Sequence, residues 1–203
     1  MVRWLFFDLG STLIDESECV EYRLNHMLNQ KNALAREELV QKIKENAEKN
    51  LLSYKDIANE LGLEIAKWPR HLEKLYPDVP EILEKLHGKY QLGIIANQSL
   101  GTEERLTHYG IRHYFNVILA SAEAGVSKPD LKIFQTALQK ADCSPQEAYM
   151  IGDRLDNDIE PAAQLGMLTI WVRQGINAYG NPNLISHKPG IIVNQIQDIL
   201  NYL

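Results

Sequence analysis

The chain has 203 residues, 45% of them hydrophobic, enough for one sizeable core or a core with a small insert, which excludes a disordered tail. Its formal charge of -6 comes from 27 acidic and 21 basic side chains interspersed without a basic block, which argues against nonspecific binding to nucleic acid or an anionic membrane. A small dissolved molecule is the expected partner.

Cys19 and Cys143 show no metal-ligand or redox spacing and read as ordinary thiols of a reducing compartment. The start, Met1-Val2-Arg3-Trp4, carries too short an apolar stretch for a signal peptide. No run approaches membrane-spanning length, so a cytoplasmic protein is expected.

The first element is the apolar run Trp4-Leu5-Phe6-Phe7, a buried strand ending at Asp8 and followed by Leu9-Gly10-Ser11-Thr12-Leu13. A carboxylate at the end of a parallel strand lies where open α/β sheets bind ligands. Asp8 reads either as a nucleophile there or as a turn former before a glycine. Residues 15 to about 75 turn charged and helical. Leu24, Met27 and Leu28 are spaced for one helix face, and further helices are expected over Glu37–Leu51 and Ser53–Leu61, with Ser53 as N-cap, and in a short piece near Pro69–Leu75. Tyr76-Pro77-Asp78-Val79-Pro80 breaks the pattern as a return hinge, and a helix resumes over Val79–Leu86.

From residue 90 the chain alternates short apolar runs with amphipathic stretches. Strands are expected at Leu92–Ala96, Val117–Ala120, Ala148–Ile151, Met167–Val172 and Ile191–Val193, with helices at Thr102–Tyr109, Leu131–Lys140 and Asp158–Leu165 and at the C-terminus. This order predicts an α/β fold: a doubly wound parallel sheet with right-handed crossovers. Residues 1–14 and 86–203 would form the core, and residues 15–85, hinge included, an inserted helical unit.

Polar clusters follow the expected strands: Asn97-Gln98-Ser99, Ser127-Lys128-Pro129-Asp130, and Gly152-Asp153-Arg154-Leu155-Asp156-Asn157-Asp158. In a parallel sheet these ends converge on one edge. The dense negative charge of the last cluster is costly unless a cation neutralises it. Oxygen-only donors with no matching histidine or cysteine set favour Mg²⁺ over Zn²⁺, with Asp8 and Asp153 as the first carboxylates. The six histidines are scattered and receive no role.

These motifs, in this order, resemble the haloacid dehalogenase-like hydrolase superfamily. Its nucleophile followed four residues later by threonine matches Asp8 and Thr12. Its second motif falls at Ala96-Asn97, its lysine at Lys128, and its Gly-Asp-x4-Asp pattern at Gly152, Asp153 and Asp158. The resemblance spans residues 1–14 and 76–175, with the insert where that family carries a helical cap. It implies a Mg²⁺-dependent phosphohydrolase of a small phosphorylated metabolite, with an aspartyl-phosphate at Asp8. Lys128 would be its cation, Gly10, Asn97 and Lys128 the phosphate neighbours, Asp8, Gly10 and Asp153 the metal neighbours, and Thr12 and Asp158 supporting residues. Dehalogenation fits less well, because that branch does not need the Asp153 and Asp158 pair.

Two departures matter. The family's phosphatases usually carry an acid–base aspartate two residues after the nucleophile, where this chain has Gly10. A threonine or serine commonly stands at Ala96. Loss of acid–base help costs about 10²–10⁴ in rate, and loss of one phosphate donor about 10²–10³. These losses keep open a second reading, a catalytically degenerate member that binds phosphate or a protein partner. Ser99 is a replacement for the hydroxyl, and Ser11 or an insert residue a carrier for the proton, although a turn or capping role suits both serines better. Glu16, Glu18, Tyr22 and Arg23 lie early in the insert, where a side chain can face the site, although a solvated helix face suits each of them better; Trp68 is expected in core packing and Arg70 within reach of an anionic substrate.

Overall fold

The computed structural model describes residues 1–51 and 54–203, so the N-cap expected at Ser53 lies outside the described residues. In chain order the elements are β1 (Trp4–Phe7), β2 (Ile14–Asp15), α1 (Ser17–Leu28), α2 (Arg36–Glu48), α3 (Tyr54–Leu61), β3 (Lys74–Leu75), α4 (Val79–His87), β4 (Gln91–Ala96), α5 (Thr102–His108), β5 (Phe115–Ala120), α6 (Ser121–Ala124), α7 (Leu131–Lys140), β6 (Ala148–Gly152), α8 (Glu160–Gln164), β7 (Leu168–Val172) and β8 (Ile191–Val193).

Six strands form one parallel sheet in the order β5-β4-β1-β6-β7-β8. The first strand is therefore central, with β4 and β6 on either side, and the strand order reverses around it. Alternation along β1 sends its side chains to opposite faces. Leu5 and Phe7 join Ile94 and the buried Val79, Ile82, Leu83 and Leu86 of α4 on one face. On the other, Trp4 and Phe6 join Ile95, Met150 and Ile133, Phe134 and Ala137 of α7. Both faces of β1 are covered, which explains why its sequence is a continuous apolar run.

A separate apolar cluster is built by Leu24 and Met27 of α1, Leu39 and Ile43 of α2, and Ile57 and Ala58 of α3. Two contacts among the described residues help tie it to the sheet. The short strands β2 and β3 pair antiparallel, Ile14 with Leu75 and Asp15 with Lys74. The end of α2 meets the loop after β7, where the Asn50 side-chain amide donates to the Asn181 carbonyl at 2.9 Å and the Asn181 amide donates back to Asn50 Oδ1 at 2.9 Å.

Several expected boundaries move. The helix expected over Glu37–Leu51 stops at Glu48 because Asn50 adopts φ 56, the left-handed conformation that ends helices. The segment near Pro69–Leu75 is a 3-10 turn, Arg70–Leu72, followed by β3, and the C-terminal helix is a 3-10 stretch, Ile196–Asn201. The single helix expected over 158–165 is divided. A π-helical turn, Leu155–Ile159, precedes α8, whose first turn holds Pro161 and so lacks one amide. The stretch 15–85 also ends differently in its packing, because α4 seats its apolar face in the cluster on the sheet rather than among α1–α3.

That placement makes a mechanical prediction. Leu83 is fully buried in the sheet cluster, so Leu83→Ala should lower the unfolding free energy by about 2–5 kcal/mol, measured by urea denaturation followed by circular dichroism. A cost below about 1 kcal/mol would mean that α4 is not part of the main core.

Candidate active site

The sheet order delivers the candidate residues to one edge. Asp8 follows β1, Asn97 follows β4, and Asp153 follows β6, the neighbouring strands around the reversal point where α/β sheets bind ligands. Lys128 arrives on the loop between α6 and α7, and its peptide bond to Pro129 is cis. Asn97 fixes that loop. Its Oδ1 accepts the Lys128 backbone N–H at 2.8 Å, and its amide donates to the Lys128 carbonyl at 2.9 Å.

Lys128 is 4% exposed, and its ammonium donates to Asp8 Oδ1 at 2.6 Å and to Asp158 Oδ1 at 2.5 Å. Burial alone would push the ammonium down, but the charges of Asp158 and Asp8 hold it above its ordinary value. Asp158 is further fixed because its Oδ2 accepts the Arg154 N–H at 2.9 Å. Gly152 is needed here for space, since a Cβ there would overlap the Asp158 carboxylate. The π-helical turn that interrupts the expected helix thus carries Asp158 back over the end of its own strand.

Asp153 has no cation of its own among these contacts. Its carboxylate accepts from the Asn177 amide at 2.6 Å and from the Thr12 hydroxyl at 3.4 Å, and its backbone carbonyl accepts from Trp171 Nε1 at 2.7 Å. Burial, followed by the charges of Asp158 and Asp8, holds its carboxyl well above the usual range. Burial first, and then Asp8, raises Asp158 to about 6 against the opposing pull of Lys128. Carboxylate oxygens of Asp8, Asp153 and Asp158 all lie within 4.8 Å of one another. Three buried carboxylates facing one ammonium have spare negative charge, and their donors are oxygen only, so the cluster fits a hard divalent cation.

A cavity of about 240 Å³ opens above this cluster, lined by Asp8, Gly10, Asn97, Lys128, Asp153 and Asp158 from the sheet edge and by Glu16, Val20, Tyr54 and Trp68 from the first helical stretch and its return. The family model described as haloacid dehalogenase-like hydrolase matches residues 5–172. The chain belongs to that family. Among relatives of this haloacid dehalogenase-like chain, the glyceraldehyde 3-phosphate phosphatase of Methanothermobacter thermautotrophicus is 29% identical across 98% of this chain and 97% of its own. The protein of the same name from Methanopyrus kandleri is 33% identical, and there the match covers 63% of this chain and 56% of the relative. The solved 2-haloacid dehalogenase of Pseudomonas syringae pv. Tomato DC3000 superposes with a TM-score of 0.65 at 23% identity, over 99% of this chain and 97% of that one. This last likeness concerns the fold alone. Proteins named for different chemistries share the architecture, so function has to be argued from the site.

The structure gathers Asp8, Gly10, Asn97, Lys128, Asp153 and Asp158 around one cavity, with Thr12 beneath Asp153. Four details differ from the sequence reading. The Asn97 side chain is engaged with the Lys128 backbone. Ser99 lines a neighbouring cleft rather than the Asp8 cavity. Glu16 is turned toward the site instead of outward: it is half-buried, and Ser11 Oγ donates to its Oε2 at 3.0 Å. Burial, then the negative charge of Asp8, pushes the Glu16 carboxyl up to about 7. Trp68 is likewise a cavity wall and not plain core, with its indole N–H donating to Glu73 at 2.6 Å and the Arg23 guanidinium stacked 4.7 Å from its ring. Asn177 and Trp171 were missed. The polar residues Arg173, Gln174 and Asn177 soon after a strand are the available signal for Asn177; an indole inside an apolar strand gives none.

Because Lys128 is the shared partner of two buried carboxylates, Lys128→Met should cost about 3–5 kcal/mol at pH 7, read by urea denaturation. Adding Asp158→Asn should recover part of the loss by removing one unpaired charge. A double variant no more stable than the single one would contradict this electrostatic account.

Proposed function

We propose that this chain is a phosphohydrolase of a small phosphorylated metabolite that works through an aspartyl-phosphate on Asp8. The observation that carries the reading is the Lys128 bridge between Asp8 and Asp158, with Asp153 beside it. The bridge holds a carboxylate nucleophile in place while removing part of its repulsion toward an anionic phosphate. The retained Asp153 and Asp158 favour phosphate chemistry over halide displacement, and the full-length similarity to a phosphatase agrees.

In this mechanism one oxygen of Asp8 attacks phosphorus in line, and the ester oxygen leaves with the bonding pair. Lys128 steadies the charge on Asp8 and on the phosphoryl group. Backbone amides after Asp8 and after Ala96 cradle phosphate oxygens, while Asn97 keeps the Lys128 loop in register. Water then releases phosphate and restores Asp8. Asp8, Asp153 and the Gly10 backbone would hold Mg²⁺, which when bound supplies positive charge between nucleophile and phosphate. Residues 15 to about 75 act as a cap whose Val20, Tyr54 and Trp68 limit the size of the leaving group. Both cysteines are free thiols, which agrees with a cytoplasmic setting. The second reading, phosphate binding without turnover, draws on Ala96, which has no hydroxyl to offer.

A phosphatase screen with p-nitrophenyl phosphate and a metabolite panel, with and without Mg²⁺, separates the two. Wild type should release phosphate in a Mg²⁺-dependent way, well above an Asp8→Asn control. Release no greater than that control would leave only the binding reading. Independently of turnover, Mg²⁺ at a hundred times its dissociation constant should raise the unfolding free energy by about 2.7 kcal/mol, and Asp153→Asn should abolish the gain. Equal stabilisation of both proteins would place the ion elsewhere.

A further inference from the structure

Gly10 stands where an acid–base aspartate is usual, and a Cβ built on it would lie 2.7 Å from Glu16 Oε1 and 2.8 Å from Glu16 Oε2. The space vacated by the absent side chain is thus filled by a carboxylate from six positions further along the chain. Local backbone geometry accounts for this. The amides of Leu13 and Ile14 both donate to the Leu9 carbonyl, and the Ser11 amide donates to the Ile14 carbonyl. This tight turn doubles the chain back, and β2 then leads Glu16 over Gly10. Glu16 precedes the first residue of α1, yet its side chain makes no capping hydrogen bond to that helix. The Ser17 amide is taken instead by Asp15 Oδ1 at 2.9 Å. Relieved of capping, the Glu16 carboxylate is oriented by Ser11 Oγ on Oε2, and the residue lines the cavity it shares with Asp8 and Lys128.

We infer that Glu16 is the general acid and base of this enzyme, supplied by the start of the helical insert to the place left open at Gly10. The inference rests on the phosphohydrolase reading. In the first half-reaction an Asp8 oxygen bonds to phosphorus, the bond from phosphorus to the leaving oxygen breaks, and that oxygen takes its electron pair and the proton held at Glu16 Oε1. The products are the free alcohol, a Glu16 carboxylate and an aspartyl-phosphate. In the second, water gives a proton to Glu16 Oε1 while its oxygen bonds to phosphorus. The bond from phosphorus to Asp8 breaks, returning the Asp8 carboxylate, inorganic phosphate and a protonated Glu16. The arrangement also explains why position 10 is glycine: any larger residue would push this carboxylate away, although the Gly10 backbone itself lacks the positive φ that would bar a side chain.

The test uses p-nitrophenyl phosphate, whose leaving group needs little protonation. With Glu16→Gln, phosphorylation of Asp8 proceeds but its hydrolysis stalls. Rapid mixing should show a burst of p-nitrophenolate equal to the enzyme present, then a steady rate reduced by about 10²–10⁴, with the phosphoenzyme visible by intact mass. Moving the acid back should restore turnover, so Gly10→Asp combined with Glu16→Ala should exceed Glu16→Ala alone at least about tenfold, as expected for regained acid–base help. Gly10→Asp alone should bring no gain, since the new carboxylate meets the old one. Wild-type rates in Glu16→Gln would overturn the inference. So would a loss without a burst in which the relocated acid fails to help. If wild-type protein itself releases no more phosphate than Asp8→Asn, the phosphohydrolase reading falls first and the role of Glu16 with it, an outcome read before any Glu16 variant is made.

Discussion

The ammonium of Lys128 is the interaction on which the site depends. It is almost wholly buried, and a buried ammonium is stable only when carboxylates surround it. Asp8 and Asp158 do so at 2.6 and 2.5 Å. Those two aspartates come from different strands, and the lysine comes from a loop on a third segment. One ion thereby fixes the relative positions of two strand ends and that loop. The same contacts would bring like charges together if the lysine were absent, so the geometry of Asp8 and the stability of the sheet edge are coupled.

Everything that holds Lys128 in place follows from that need. The Asn97 amide grips both backbone polar groups of the lysine, which sets where the side chain starts. Gly152 leaves room for Asp158, and the π-helical turn swings Asp158 over its strand. Asp153, one residue beyond Gly152, is held separately by Asn177 and Thr12. Lys128 touches Asp158 and Asp8, whereas Asp153 meets only neutral donors among the contacts described. That difference separates the two carboxylates: one positions the lysine, and the other is left without a cationic partner among the described contacts.

Much of the fold could be read from sequence because burial on both faces of a parallel strand leaves an unmistakable apolar run. Trp4–Phe7, Leu92–Ala96 and Ala148–Ile151 all became strands of the sheet, and the polar residues just after them gathered at its edge. Boundaries were less legible, because helix ends are set by backbone conformation and capping. The left-handed conformation of Asn50 shortened α2, and the lack of an amide at Pro161 accompanied the divided helix; neither is visible in hydrophobic periodicity. The packing of α4 on the sheet was hidden for another reason: an amphipathic helix declares that it has an apolar face, but not which core receives it. Asn97 shows the same limit at the site. A polar residue after a strand marks the edge, but whether its side chain meets a ligand or a neighbouring loop depends on a contact 31 residues away.

Glu16 tests that limit most sharply. Read along the chain, position 10 is a substitution in a familiar pattern and position 16 an ordinary acid before a helix. In space they are one feature, because a turn between Leu9 and Ile14 places the second over the first. A motif records which residues are neighbours in sequence, whereas acid–base chemistry requires only that a carboxyl oxygen stand near the leaving group. A short excursion of backbone can therefore meet the chemical requirement while breaking the sequence pattern. It also changes what controls the chemistry. An aspartate at position 10 would belong to the rigid turn after β1. Glu16 belongs to the junction with the helical insert, so any movement of that insert would carry the proton donor with it. Substrate enclosure and proton transfer would then be linked through a single residue.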